Sequence, residues 1–153
     1  MENSESRKPE ENKSWKNITP AHEKLWIWQK ANQLQLKIFE ICKTLPRTEL
    51  YNLRSQIERS SKSVKDNIAE ANESYYFDDK RKGLFIARKE AAETQSHIRE
   101  MEHKNYILAA LSQNMIDEYE EIKRGINGLI RVVSEKKETS QRKGRKKHLR
   151  SDI

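Results

Sequence analysis

The sequence predicts an all-α fold, an antiparallel up-down four-helix bundle, on three observations. Four segments carry apolar residues in steps of three and four, the period of one helical stripe. Short polar turns join them, as antiparallel neighbours require. No stretch alternates with period two or gathers β-branched residues as a strand would.

Segment one opens at Thr19-Pro20, a capping hydroxyl followed by proline at the first helical position. Its stripe is Trp28, Ala31, Leu34, Ile38, Ile41 and Leu45, and Pro46 ends it by pushing the preceding residue out of the helical region. Segment two, with Thr48 as its candidate cap, runs Leu50, Leu53, Ile57, Ser61, Val64, Ile68, Ala71. Ser60, Ser61 and Ser63 beside that stripe let a neighbouring helix come close. Segment three follows Asp78-Asp79, a cap and a favourable first-turn charge, and runs Leu84, Ala87, Ala91, Thr94, Ile98, Met101, Asn105, Leu108. Segment four, capped by Asn114, runs Met115, Tyr119, Ile122, Ile126, Leu129, Val133. Gly125 and Gly128 inside it cost about 1 kcal/mol each relative to alanine, which points to close helix approach or a neighbouring subunit.

The 153 residues allow one domain. No apolar run approaches the roughly 18 residues of a membrane span, and the first residues, MENSESRKPEENKSWKN, lack the apolar core of a secretory signal. Cys42 is the sole cysteine, so there is no intramolecular disulfide framework, which fits a reducing cytoplasm. The net charge is +7, unevenly placed. Residues 1–17 balance four acids with four bases, residues 18–134 carry 19 bases and 17 acids, and residues 135–153 carry eight bases against three acids. Residues 1–18 are therefore read as a disordered tail, 19–134 as the bundle, and 135–153 as a basic disordered tail.

Candidate chemistry is sparse. Glu100-x-x-His103 has the Glu-x-x-His spacing of di-iron bundles, but such a site needs a second copy. His22, His97 and His148 have Thr19, Thr94 and Arg145 three residues earlier, so there is none. Glu93 and His97 form another pair that no histidine on the other segments completes. The sequence predicts no metal and no cofactor. Gln56, Arg59, Asn67 and Glu70 lie on or near the second stripe. They are read as a structural polar network, with Glu93 or Gln95 as possible partners, because no nucleophile–base–orienter set accompanies them. Cys42, beside the first stripe, reads as a small packed hydrophobe.

Two features remain. Leu25, Trp26, Leu36, Phe39, Phe85, Ala92 and Tyr106 fall partly off the stripes, as a wide core face or as a second apolar face for self-association; Trp26, Leu36 and Phe39 are the candidate oligomer contacts. The run Arg142-Lys143-Gly144-Arg145-Lys146-Lys147, with Arg150 beyond it, holds no acid. Such a cation binds phosphate backbones by counterion release without reading sequence, its rivals being a solubility tail or an anionic-lipid anchor. Arg81, Lys82 and Arg88 are secondary candidates, with Asp78, Asp79 and Glu90 offsetting much of their field.

Several stretches in order resemble a known family. They are KLWIWQKA (Lys24 to Ala31), the Leu45-Pro46 stop, ELYNLRSQIERSSKSVKDNIAEA (Glu49 to Ala71), FIARKEAAETQSHI (Phe85 to Ile98) and INGLIR (Ile126 to Arg131). Together they resemble the four-helix-bundle proteins encoded in intervening sequences of bacterial large-subunit ribosomal RNA genes, a group related to the accessory variability proteins of diversity-generating retroelements. The chain departs from the pattern at Ala71, where a glycine is usual, and at Glu90, where a small residue is usual; Ala71 should prolong the second helix towards Asn72 or Ser74. The resemblance implies a cytoplasmic bacterial homopentamer without enzymatic activity. In the retroelement branch it implies a basic partner of a reverse transcriptase and of nucleic acid. The combined expectation is a non-enzymatic, homo-oligomeric scaffold that binds RNA or DNA, without a membrane. The alternative is an adaptor that docks a reverse transcriptase or other enzyme.

Overall fold

The computed structural model describes residues 17–151, with side chains through residue 148. Among these residues there are four long helices and no strand: α1 (Trp26–Cys42), α2 (Leu53–Glu73), α3 (Phe77–His103) and α4 (Ala109–Ser151). Each packs on its neighbours in sequence, and α1 closes the ring against α4, while the diagonal pairs α1/α3 and α2/α4 stay apart. Cross-helix partners fix the directions. Arg59 and Ala71 of α2 meet Glu93 and Gly83 of α3, Arg88 and Arg99 of α3 meet Asn127 and Gln113 of α4, and Ile27 and Lys30 of α1 meet Gly125 and Glu121 of α4; each pair runs in opposite order, which leaves α1 and α2 antiparallel too.

The core is the four stripes brought face to face. Ile27, Ala31, Leu34, Ile38 and Cys42 come from α1; Leu53, Ile57, Val64, Ile68 and Ala71 from α2. Leu84, Ala87, Ala91, Ile98 and Met101 come from α3, and Met115, Tyr119, Ile122 and Ile126 from α4. Ser60 and Ser61 are fully buried, and Thr94 Oγ1 bonds Ser60 Oγ at 2.9 Å, so small hydroxyl residues bring α2 and α3 together as their spacing predicts. Close approach recurs at Gly125, where the Trp26 and Ile27 side chains sit directly on the α4 backbone.

The element ends depart from the sequence reading in five places. The first helix does not run from Pro20: a 3-10 turn (Ala21–Lys24) comes first, and Leu25 is extended at φ −77°, ψ 124°. That break folds His22 back onto Trp28, ring centroids 5.1 Å apart. Thr48 does not cap α2; it lies in a second 3-10 turn (Arg47–Glu49), and the buried Glu49 carboxylate takes the capping role by accepting from Leu53 N at 3.2 Å. Asp78 and Asp79 lie in the first turn of α3 rather than at its cap, which is Tyr76. The third stripe ends at Met101, because Asn105 turns the chain at φ 59° and Tyr106 N reaches back to Met101 O at 2.8 Å, a helix-terminating motif. Leu108, three residues on, is therefore exposed. Lastly, α4 begins at Ala109, its first backbone bond running from Ser112 N to Leu108 O, so Asn114 lies within the helix. The second helix does extend past Ala71, to Glu73.

The basic C-terminal tail is the larger correction. Residues 135–153 are expected as disordered chain, yet α4 stays helical through Ser151. Extending a formed helix needs no new nucleation, and Lys, Arg, Glu and Gln are good helix formers. The reading of residues 1–18 as a disordered tail lies, but for Asn17 and Ile18, outside the described residues.

Candidate functional site

α4, with 43 residues, outruns α3, with 27, so its last part projects past the end of the bundle. From Glu138 to Ser151 the projection measures about 20 Å at 1.5 Å per residue. Lys137 Nζ donates to Asp78 Oδ1 at 2.6 Å and ties the base of this arm to the first turn of α3. The bond holds the Asp78 carboxyl below its ordinary value. Beyond it, residues 138–148 are all exposed, and Arg142, Lys143, Arg145, Lys146 and Lys147 stand among them with no acid after Glu138. The Arg150 side chain lies outside the described set.

The row of α4 that faces the bundle changes character along its length. Leu129 and Val133 pack against the core. On the same side, stepping by three, seven and four, follow Lys136, Lys143 and Lys147. The core stripe thus becomes a basic stripe where it leaves its neighbours. At that junction a cavity of about 200 Å³ opens between the ends of α2, α3 and α4, walled by residues such as Leu25, Phe77, Leu84 and Val132, with Lys80 and Lys136 also lining it. Lys80 is committed there, donating to Asn72 O at 2.9 Å at the end of α2.

The secondary basic candidates divide. Lys82 is exposed, and with Arg81, Phe85, Ile86 and Lys89 it lines an open depression on α3. Arg81 NH1 lies 4.0 Å from Asp78, whose closer partner is Lys137. Arg88 is engaged in packing: it donates to Asn127 Oδ1 at 2.8 Å and lies over the Phe85 ring, 5.0 Å from its centroid.

The four residues read as one polar network are not brought together. Arg59 reaches α3, pairing with Glu90 and Glu93, and the pairing raises its own proton affinity. Burial alone would raise the Glu93 carboxyl, but bonds from Arg59 and His97 hold it below its ordinary value. Glu90, the charge that replaces a usual small residue, is accommodated because this guanidinium meets it. Asn67 instead bonds Ser63 within its own helix, at 2.9 Å to the carbonyl and 3.0 Å to the hydroxyl. Gln56 and Glu70 are exposed. Gln95, a suggested partner for this group, faces α4, donating to Ile116 O and to Glu120 Oε1, each at 3.0 Å. The interhelical polar cluster that periodicity missed is at the far end of the bundle. Glu49 Oε1 accepts from Lys104 Nζ and from Tyr106 OH, each at 2.9 Å, and the two bonds depress its carboxyl while its other oxygen caps α2. A glutamate four residues before a helix start was the only sequence signal for it.

Of the metal candidates, Glu100 pairs with Lys104 at 2.8 Å and His103 is exposed, while Glu93 and His97 approach at 3.5 Å. Among the described residues no three His, Cys, Asp or Glu side chains gather to hold a metal ion. Cys42 is buried, and burial pushes its thiol up to about 11, far from a reactive thiolate. Trp26 and Leu36 are 53% exposed and Phe39 41%, so all three candidate oligomer contacts present apolar surface outward. Among the described residues no helix is long and apolar enough to cross a membrane.

A solved structure of a protein of unknown function from the S23 ribosomal protein family of Bacteroides thetaiotaomicron VPI-5482 resembles this chain with a TM-score of 0.63 and 25% identity. The match covers 69% of this chain and 95% of that one. A search of the curated proteins gave no match. Residues 23–128, which hold the bundle and stop short of the arm, match the family described as 23S rRNA-intervening sequence protein, and the chain belongs to that family.

Proposed function

We propose that the protein is a non-enzymatic scaffold or accessory factor that self-associates, with five copies expected, and holds RNA or DNA by the phosphate backbone. The observation that carries this reading is the exposed basic arm of α4, five described cations between residues 142 and 147 with no acid among them. Backbone binding of this kind needs charge and reach, not a shaped pocket. The exposed Trp26, Leu36 and Phe39 of α1 support self-association, which would gather several arms into one assembly and multiply a modest affinity by avidity. The family description names a genetic setting rather than a reaction.

The test is a salt series by fluorescence anisotropy on intact protein and on a variant ending at residue 140, with light scattering on both. Each phosphate contact adds about 0.7–0.9 to the slope of log affinity against log salt, so losing the six cations of the arm should flatten the slope by up to about five. Light scattering should show an oligomer in either case, since the α1 face is untouched. An unchanged slope would move the binding to the body. No binding at all would favour the adaptor reading. A partner enzyme such as a reverse transcriptase would then dock on the depression lined by Arg81, Lys82, Phe85, Ile86 and Lys89.

A further inference from the structure

The charge of the arm suits any polyanion, but its shape is more selective. Helical geometry turns about 100° per residue. On that scale Lys136, Lys143 and Lys147 form one row, Arg142 and Lys146 an adjoining one, and Arg145 the side opposite the first, while Lys137 is held by Asp78. The free cations thus stand on two opposite sides of the helix and on the arc between them, leaving the side of Ser140, Gln141 and Gly144 uncharged. A helix laid along one strand, or on a flat anionic surface, uses cations on one side only. A helix seated in a duplex groove meets a phosphate wall on each side and uses cations on opposite sides.

Groove dimensions choose between duplexes. An α-helix with its side chains is about 10–12 Å across, and the major groove of B-form DNA is about 12 Å wide. The major groove of A-form RNA is deep and narrow, and its minor groove is wide and shallow, so neither embraces a helix in this way. From Glu138 onward the arm also projects clear of the bundle by about 20 Å, enough to lie along more than half of one turn of groove. We propose that the α4 arm is a groove-seated helix that prefers B-form duplex DNA over duplex RNA and over single strands of equal charge. This rests on the nucleic-acid reading above and specifies its ligand.

If the helix itself matters, affinity should follow helicity at constant charge. Gly144 lies mid-arm, and a Cβ there would meet nothing within 4 Å, so Gly144→Ala stiffens the arm without a clash. Gln141→Pro breaks the helix between the bundle and the cation run, since proline removes one backbone bond and clashes with the carbonyl four residues earlier. Neither substitution changes a charge, and both positions are exposed beyond the core.

The experiment measures anisotropy of four labelled probes at one salt concentration: a 20-base-pair DNA duplex, the RNA duplex of the same sequence, and a single strand of each. The expected order places the DNA duplex first. Gly144→Ala should tighten duplex DNA binding by about two- to fivefold, and Gln141→Pro should weaken it at least tenfold while single-strand binding stays within twofold. Circular dichroism should show the same thermal midpoint for all three proteins, confirming an intact bundle. Equal affinity for the four probes, with no response to Gln141→Pro, would overturn the groove assignment and leave the nucleic-acid reading standing. Tightest binding to the RNA duplex would overturn it as well. Failure of the intact protein to bind any probe would refute the underlying reading and the proposal with it.

Discussion

Gly125 and Gly128 stand one turn apart on α4, and the same substitution at each should move stability in opposite directions. Both positions carry glycine's helix penalty, about 0.5–1 kcal/mol relative to alanine. At Gly128 a Cβ would meet nothing within 4 Å, so Gly128→Ala should recover that amount. At Gly125 a Cβ would lie 2.5 Å from Ile27 Cγ2 and 2.5 Å from Trp26 Cζ2. Carbon atoms rest at about 3.5–4.0 Å, so each overlap is about 1 Å or more. The Trp26 ring, 53% exposed, can swing towards solvent, but Ile27 is 2% exposed and moves only if α1 moves. Overpacking of that kind costs about 1–3 kcal/mol. After the helix gain, Gly125→Ala should be destabilised by up to about 2 kcal/mol, and the two variants should differ by about 1–3 kcal/mol. Urea unfolding followed by circular dichroism measures this, at one protein concentration because self-association would shift the midpoint. Gly125→Ala matching Gly128→Ala, with equal m values, would show that α1 does not seat on α4 at this glycine.

Two further outcomes follow from buried polar groups. The Tyr119 hydroxyl is buried without a hydrogen-bond partner among the described residues, so Tyr119→Phe should raise stability by about 1 kcal/mol in the same unfolding assay; a clear loss would mean that the hydroxyl is satisfied. The Glu49 carboxyl sits below its ordinary value of 4.5 because Lys104 and Tyr106 donate to it. The folded state therefore binds this proton less readily than the unfolded state. Its stabilisation is complete above about pH 4.5 and is lost as pH falls through the depressed value. Glu49→Gln should flatten the acid limb of a thermal-midpoint profile between pH 7 and 3, and an unchanged limb would refute the assignment.

Much of the fold was legible because burial imposes a period, and a period survives in a single sequence. Leu53, Ile57, Ser61, Val64, Ile68 and Ala71 are buried as their spacing predicts, while Leu50, first in the stripe, lies before the helix and is half-buried. Periodicity is blind to where a helix stops, however. Asn105 and Leu108 keep the three-four rhythm of α3 after the backbone has turned. Capping preferences misplaced the start of α4, because Ala109, Ala110 and Leu111 form helix readily and Asn114 is tolerated on an exposed face. Ile27 and Cys42 were left off the first stripe because Trp28 and Ile41, equally apolar, lie beside them and are only half buried. At the candidate site the positive charge was plain, but its helical form was not: a run of like charge reads as self-repelling chain until the helix that feeds it is known. Arg59, Asn67 and Glu70 could be placed on one helix from sequence, yet which of them reaches a neighbour depends on the partner helix's register, and no single segment encodes that.

The ring order of the helices bears on how the chain folds. Three of the four pairings join segments that are consecutive in sequence, and only α1 with α4 spans most of the described chain. Loop-closure entropy is small for consecutive hairpins and largest for that final seam. Topologies rich in local contacts fold in microseconds to milliseconds. The α2–α3 and α3–α4 hairpins would assemble early, and the Trp26–Gly125 seam would close last. Variants in that seam should then act mainly on the unfolding rate, leaving the folding rate nearly unchanged.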